Sequence, residues 1–142
     1  MTYDFKLECT LPTAPKAVYD AWLDSAAHSA MTGGGAKIAR RVGGSYTAWD
    51  GYISGKTLEL TAGARIVQSW RTSKFAAGDP DSTITVVLAP TKSGTLLTLM
   101  HRGVPDGQTS YEKGGWRDHY FVPMKAYFER QKQNTKSTKK GA

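Results

Sequence analysis

Residues 98–128 decide the fold of this chain and read TLMHRGVPDGQTSYEKGGWRDHYFVPMKAYF. The first part alternates apolar and polar residues and ends at Gly103-Val104-Pro105, which is typical of a strand that runs into a loop. The second part predicts a long helix that begins between Ser110 and Trp116. Its apolar stripe consists of Trp116, Tyr120, Met124 and Phe128. In a strand-rich chain such a helix must pack on the sheet, and we expect a cavity between the two.

The rest of the chain predicts a strand, two short helices and then about six strands. Residues 3–11 alternate as a half-buried strand, Pro15 suits the first turn of a helix that runs to Leu23, and a second helix over 24–31 ends at Gly33-Gly34-Gly35. Asp50-Gly51 is a strong hairpin signal. The α+β chain should therefore form a six- or seven-stranded antiparallel sheet. We expect strands at 37–41, 45–49, 52–60, 65–73, 82–89 and 95–102.

Pro123 lies within the predicted C-terminal helix. Proline lacks a backbone N–H, so it cannot bond to the carbonyl of His119 four residues earlier. A kink at this point is the expected result, because prolines are a common cause of sharp bends in helices. A kinked helix would keep helix and sheet partly apart, which favours a cavity.

Bulk composition indicates one ordinary globular domain. The chain has 142 residues, of which 39% are apolar and 22% charged. Cys9 is its single cysteine, so no internal disulfide can form and a reducing compartment is expected. The first residues lack the pattern of a signal peptide, and no stretch approaches the ~18 apolar residues of a membrane span. We therefore expect a cytoplasmic protein without a membrane partner.

The net charge of +7 is concentrated at the C-terminus. Five basic residues and no acidic ones follow Glu129, whereas residues 1–129 hold 14 basic and 12 acidic residues. A polar, basic run of this kind is usually solvated and disordered. We therefore predict a domain over 1–131 and a basic, disordered tail over 132–142, and no nucleic-acid partner.

The three histidines, His28, His101 and His119, do not occur at metal-ligand spacing. We therefore expect neither a metal nor another cofactor. No nucleophile motif is present, and Cys9 lies in an apolar strand face, so no catalytic residue is assigned. His101 shares a strand face with Leu99. Two interpretations stay open: His101 contacts a ligand, or, as we favour, it is a buried plug hydrogen-bonded to Tyr120 or to a backbone carbonyl.

Large aromatic side chains are numerous in this chain, and most should belong to the core. The sharper hypothesis is that some line a hydrophobic pocket, where their polar tips orient a ligand. The candidate ligand-binding residues are Trp49, Tyr52, Trp70, Leu99, His101, Trp116, Tyr120 and Met124.

Several short motifs occur together in an order that resembles one known family. They are Gly43-Gly44-Ser45-Tyr46, Asp50-Gly51-Tyr52-Ile53-Ser54-Gly55, Ile66-Val67-Gln68-Ser69-Trp70-Arg71, Gly94-Thr95, His101-Arg102-Gly103-Val104-Pro105 and Gly115-Trp116 with Tyr120-Phe121. Over residues 3–128 the chain resembles the activator-of-heat-shock-protein-90-ATPase homologues of the START-like (SRPBCC, Bet v 1-like) superfamily. The resemblance implies a helix-grip fold, in which an antiparallel sheet wraps around a long C-terminal helix and encloses a cavity.

The resemblance leaves three functions open. The superfamily uses its cavity for apolar molecules, so the first hypothesis is a module that binds a small hydrophobic ligand. The family name implies a second, a regulator that contacts a heat-shock protein 90-type chaperone. A third is a cyclase- or hydrolase-type enzyme that uses His101 as acid–base with Tyr120 or Asp118 in support. Monomer and dimer both stay open.

Overall fold

The computed structural model describes residues 2–108 and 110–141, with side chains described as far as Lys132. Seven strands and three α-helices lie within these residues, besides shorter helical turns. The strands are β1 (Thr2–Leu11), β2 (Lys37–Ile38), β3 (Ser45–Ala48), β4 (Ile53–Thr61), β5 (Arg65–Thr72), β6 (Ser82–Thr91) and β7 (Gly94–Pro105). The helices are α1 (Pro15–Leu23), α2 (Ser25–Thr32) and α3 (Val122–Gly141).

All seven strands join one sheet in the order β1-β7-β6-β5-β4-β3-β2. Each neighbouring pair is antiparallel, and the first strand pairs with the last, so that Leu7 lies opposite Leu99. From β2 to β7 the chain forms successive hairpins, as short turns between alternating segments predict. The predicted α+β sheet of six or seven strands is therefore confirmed, with seven.

The core lies between one face of the sheet and α3. Side chains alternate across a strand, so β5 turns Ile66, Gln68 and Trp70 to this face, where they are buried. On the helix side, Met124 and Phe128 are also buried. The predicted apolar stripe of the C-terminal segment is confirmed, since its other two members are buried as well.

The two short helices connect β1 to β2 and have clear local end signals. Pro15 is the first residue of α1, where its missing N–H is not needed. The carboxylate of Asp24 accepts a hydrogen bond from the backbone N–H of Ala27 and caps α2. Gly33 ends α2 in the left-handed conformation with φ of 88°. These bounds lie within one residue of the predicted ones at each end.

The C-terminal segment differs from the predicted kinked α-helix. Two π-helical turns, Tyr111–Gly115 and Arg117–Phe121, precede α3, and the ordinary helix begins at Val122. Pro123 is the second residue of α3 and directly follows the second π-helical turn, which ends with a bond from the Val122 N–H to the Arg117 carbonyl. The helical geometry therefore changes from π to α directly before this proline.

The backbone of α3 is helical to Gly141, whereas the side chains beyond Lys132 lie outside the described residues. The disordered tail over 132–142 therefore stays a prediction. Among the described helices, none combines the length and the apolar composition needed to cross a membrane.

Candidate functional site

A cavity of about 620 Å³ lies where the π-helical turns meet the sheet. The turn between β3 and β4 forms one side of it, β5 forms its base, and the π-helical turns form the other side. This volume lies in the ordinary range for small-molecule sites. The cavity is therefore the candidate functional site.

Six large aromatic side chains line the cavity. The ring of Trp116 lies 5.5 Å from that of Trp70 and 4.9 Å from that of Tyr120, measured between centroids. Trp70 also lies 4.9 Å from Tyr111 in an edge-to-face arrangement. Such contacts hold large rings in fixed orientations. The aromatic wall consists of Trp49, Tyr52, Trp70, Tyr111, Trp116 and Tyr120.

Polar side chains surround the opening. Five lining residues are exposed to solvent, and we call them the mouth of the cavity: Lys74, Ser110, Lys113, Asp118 and His119. Asp118 accepts a bond of 3.1 Å from its neighbour Arg117. The site thus has an apolar interior and a polar, partly basic entrance, which is common in ligand-binding cavities.

His101 lies behind the aromatic wall rather than in the cavity. The indole N–H of Trp116 donates to Nδ1 of His101 at 3.1 Å, so Nε2 carries the proton and donates to Oγ of Ser82 at 2.9 Å. The Ser82 hydroxyl donates in turn to the carbonyl of Trp70 at 2.7 Å. Burial lowers the pKa of His101 to about 3. His101 is thus a neutral plug, as favoured, but its partners are not Tyr120 or a carbonyl.

His28 occupies the equivalent place behind Tyr120. Nδ1 of His28 donates to the carbonyl of Trp22 at 2.8 Å, and Nε2 accepts from the Tyr120 hydroxyl at 2.9 Å. Burial lowers the pKa of His28, so this imidazole is neutral as well. Two buried histidines, in opposite tautomers, therefore fix two neighbouring rings of the aromatic wall.

Trp49 is held in an unusual backbone conformation. It has φ of 50°, a genuine outlier for a bulky residue, and the following Asp50 has φ of 58°. Asp50 binds the backbone of Gly35 through its own N–H and its carboxylate, at 2.9 and 3.1 Å. A Cβ on Gly34 would overlap the Trp49 ring, so only glycine fits there. Gly34 and Gly35 therefore pack against the β3–β4 turn and help to fix its position.

The indole N–H of Trp49 is buried and has no hydrogen-bond partner. Among the described residues, it is the only buried side-chain N or O atom that lacks a hydrogen-bond partner. Leaving such a donor unpaired costs about 1–3 kcal/mol. Backbone strain and an unpaired donor therefore coincide in one residue of the aromatic wall, as is common at functional sites.

The structure places five of the eight predicted site residues around this cavity and three elsewhere. The five are Trp49, Tyr52, Trp70, Trp116 and Tyr120. Leu99, His101 and Met124 do not line it. They are 0% exposed: Leu99 and His101, on β7, and Met124, on α3, are buried in the interior.

Sequence reasoning missed two kinds of site residue. The first comprises Tyr111 and most of the mouth, which lie on connecting segments without regular periodicity. The second is His28, whose bond to Tyr120 joins positions 92 residues apart.

The chemistry of the cavity is that of a neutral aromatic surface with a polar entrance. Burial raises the pKa of the Tyr111 and Tyr120 hydroxyls, so both keep their protons at neutral pH. Both nitrogens of His101 are engaged and the ring is fully buried, so an acid–base role in the cavity is not available to it. Among the described residues, no three His, Cys, Asp or Glu side chains lie together as a metal site.

An antiparallel sheet of seven strands that holds one C-terminal helix next to an aromatic cavity is the helix-grip architecture of START-like proteins. More specifically, residues 12–129 match the model of the family described as Activator of Hsp90 ATPase homolog 1-like protein. The chain belongs to this family. The resemblance recognised in the motifs is thereby confirmed.

Individual relatives agree with this assignment. An uncharacterized protein of Schizosaccharomyces pombe is 29% identical over 127 residues, which are 89% of this chain and 38% of the relative. A Dictyostelium discoideum protein named activator of 90 kDa heat shock protein ATPase homolog is 24% identical over 128 residues, 89% of this chain and 33% of the relative. The chain thus spans about a third of the length of these curated relatives.

Among solved structures, the crystal structure of an HSP90 activator from Plasmodium falciparum has a similar fold. It superposes with a TM-score of 0.78 at 23% identity, covering 87% of this chain and 94% of that one. At this identity the likeness shows the fold alone.

Proposed function

We propose that this chain is a binding module that holds a small hydrophobic molecule in the cavity beside the C-terminal helix. One observation carries the proposal: a cavity of about 620 Å³ has a wall of six aromatic side chains. Large rings around an enclosed space favour apolar ligands, because burying ligand surface there releases water from both partners.

The arrangement behind the wall supports the same function. Trp116 and Tyr120 are each fixed by a buried, neutral histidine, so these rings are already positioned before a ligand arrives. A preformed site loses less conformational entropy on binding. The imidazoles of His28 and His101 therefore hold the wall in place.

Binding of a neutral fluorescent naphthylamine, N-phenyl-1-naphthylamine, tests this proposal. Wild-type protein should bind the probe saturably at one site. Ser110→Trp should abolish the binding, because Ser110 is exposed at the mouth and a large ring there would occupy the opening. Ser93→Trp is the matched control, since Ser93 is exposed and does not line the cavity. Equal binding by both variants would contradict the proposal, as would no binding to wild type.

A second candidate function is contact with a heat-shock protein 90-type chaperone. It is favoured by the description of the family and by the name of the Dictyostelium protein. One surface feature is compatible with it: Val42 and Leu58 are 59% and 49% exposed. Each is the sequence neighbour of one residue of the backbone bond from Gly43 to Thr57. Exposed apolar side chains can form part of a protein contact.

Assays with the purified chaperone distinguish the two proposed functions. If the chaperone function holds, wild-type protein should bind the purified chaperone and raise its ATPase rate, and Val42→Ser with Leu58→Ser should weaken both effects. Ser110→Trp should leave them unchanged, because it alters the cavity alone. Absence of binding at physiological salt would rule out the chaperone function and leave the cavity proposal intact.

A further inference from the structure

Two cationic side chains lie at the mouth of the cavity. Lys74 and Lys113 both line the cavity and are exposed. Within the described part of the chain, neither ammonium group forms an ion pair. The single carboxylate of the mouth, that of Asp118, is already bonded to Arg117. The entrance therefore carries an excess of positive charge.

The lysines of the mouth differ from the tyrosines of the wall in their hydrogen bonding. The Tyr111 hydroxyl bonds to Thr72 and Gln108, and the Tyr120 hydroxyl bonds to His28. By contrast, lysine ammonium groups can only donate, and those of Lys74 and Lys113 form no ion pair among the described residues. A ligand group that binds these two lysines must therefore bring acceptors.

We infer that the ligand is an amphipathic anion, with a flat aromatic or polycyclic body and one acidic group such as a carboxylate. The body contacts the aromatic wall, and the acidic group lies at the mouth, where Lys74 and Lys113 neutralise it. This inference rests on the proposed function, since it names the chemical class that the cavity takes.

Two fluorescent probes with the same aromatic body test the inference. The first is 8-anilino-1-naphthalenesulfonate, and the second, N-phenyl-1-naphthylamine, is that molecule without its sulfonate. At low salt we expect wild-type protein to bind the sulfonate about three- to tenfold more tightly, the effect of two exposed ion pairs. The preference should decrease as salt is added, because exposed charges are screened.

Variants of the two lysines test whether they cause the preference for the sulfonate probe. The double variant Lys74→Gln/Lys113→Gln should lose the preference for the sulfonate and keep its affinity for the neutral probe. The control Lys6→Gln/Lys92→Gln removes the same charge from exposed positions outside the cavity and should keep the preference.

The outcomes separate the inference from the proposed function. If the neutral probe binds the cavity but the sulfonate binds no more tightly, the inference is overturned and the proposed function stands. An equal loss of preference in both double variants also overturns it, because the effect would then be one of net charge. If neither probe binds, both fail together.

Discussion

Trp116 donates its indole N–H to Nδ1 of His101 across 3.1 Å, and this bond joins the cavity wall to the core of the sheet. It also fixes the tautomer of His101, because a nitrogen that accepts cannot carry a proton. The remaining nitrogen donates to Ser82, which donates to the backbone of β5. A chain of three bonds thus holds one wall residue of the cavity in place.

Removing the imidazole should therefore destabilise the fold. His101→Ala leaves the N–H of Trp116 unpaired and opens a space in the core, which should lower the free energy of unfolding by about 2–4 kcal/mol. His101→Gln should lose less, because its amide can accept from Trp116 and donate to Ser82. Urea denaturation measures the free energy of unfolding of both variants, and His119→Ala, at an exposed position, is the control. Equal losses for His101→Ala and His119→Ala would contradict this assignment.

Stability should decrease as the pH falls below about 6.5. Burial holds the pKa of His101 at about 3 and lowers that of His28, whereas in the unfolded chain both stay near 6.5. Between those values the unfolded state binds protons that the folded state does not, so acid favours unfolding. Each histidine should contribute a slope of up to ~1.4 kcal/mol per pH unit.

The histidine contribution is best measured between pH 5 and 6.5, above the range in which most carboxylates titrate. The double variant His28→Gln/His101→Gln should show a clearly smaller slope there than wild type. A wild-type unfolding free energy that stays constant over this interval would contradict two neutral, buried histidines.

Gly34→Ala tests how Trp49 is positioned. The new methyl group would overlap the Trp49 ring, so the ring must move or the β3–β4 turn must shift. We expect a loss of about 1–3 kcal/mol in the free energy of unfolding, and a change in tryptophan near-ultraviolet circular dichroism. Gly78→Ala is the control, because a Cβ there meets open space. If the two substitutions have equal effects, Gly34 does not seat Trp49.

The sequence was sufficient to predict those features that depend on periodicity. Trp116 and Tyr120 recur at helical spacing, and both lie in the wall of the cavity. Spacing could not show that this segment forms π-helical turns, because four-residue spacing fits either geometry. The kink expected at Pro123 stays a prediction, and the structure adds that a π-helical turn directly precedes this proline.

Pairings across the fold could not be predicted. His101 has the alternation of a strand residue that faces the core, and it does face the core, but its partner Ser82 lies on the neighbouring strand. Tyr120 bonds instead to His28, on α2. Which polar group meets which depends on how α2 and the π-helical turns pack, and local spacing contains no information on that.

The four tryptophan indole N–H groups provide the most direct test of the cavity as the binding site. In ¹H–¹⁵N spectra recorded during a titration with N-phenyl-1-naphthylamine, the Trp49 and Trp70 indole signals should shift most, since both rings line the cavity. The Trp22 signal should change little, because that indole is buried and bonded to Gln68 at 3.1 Å. If the probe leaves Trp49 and Trp70 unshifted, the cavity does not bind it, and the central claim is wrong.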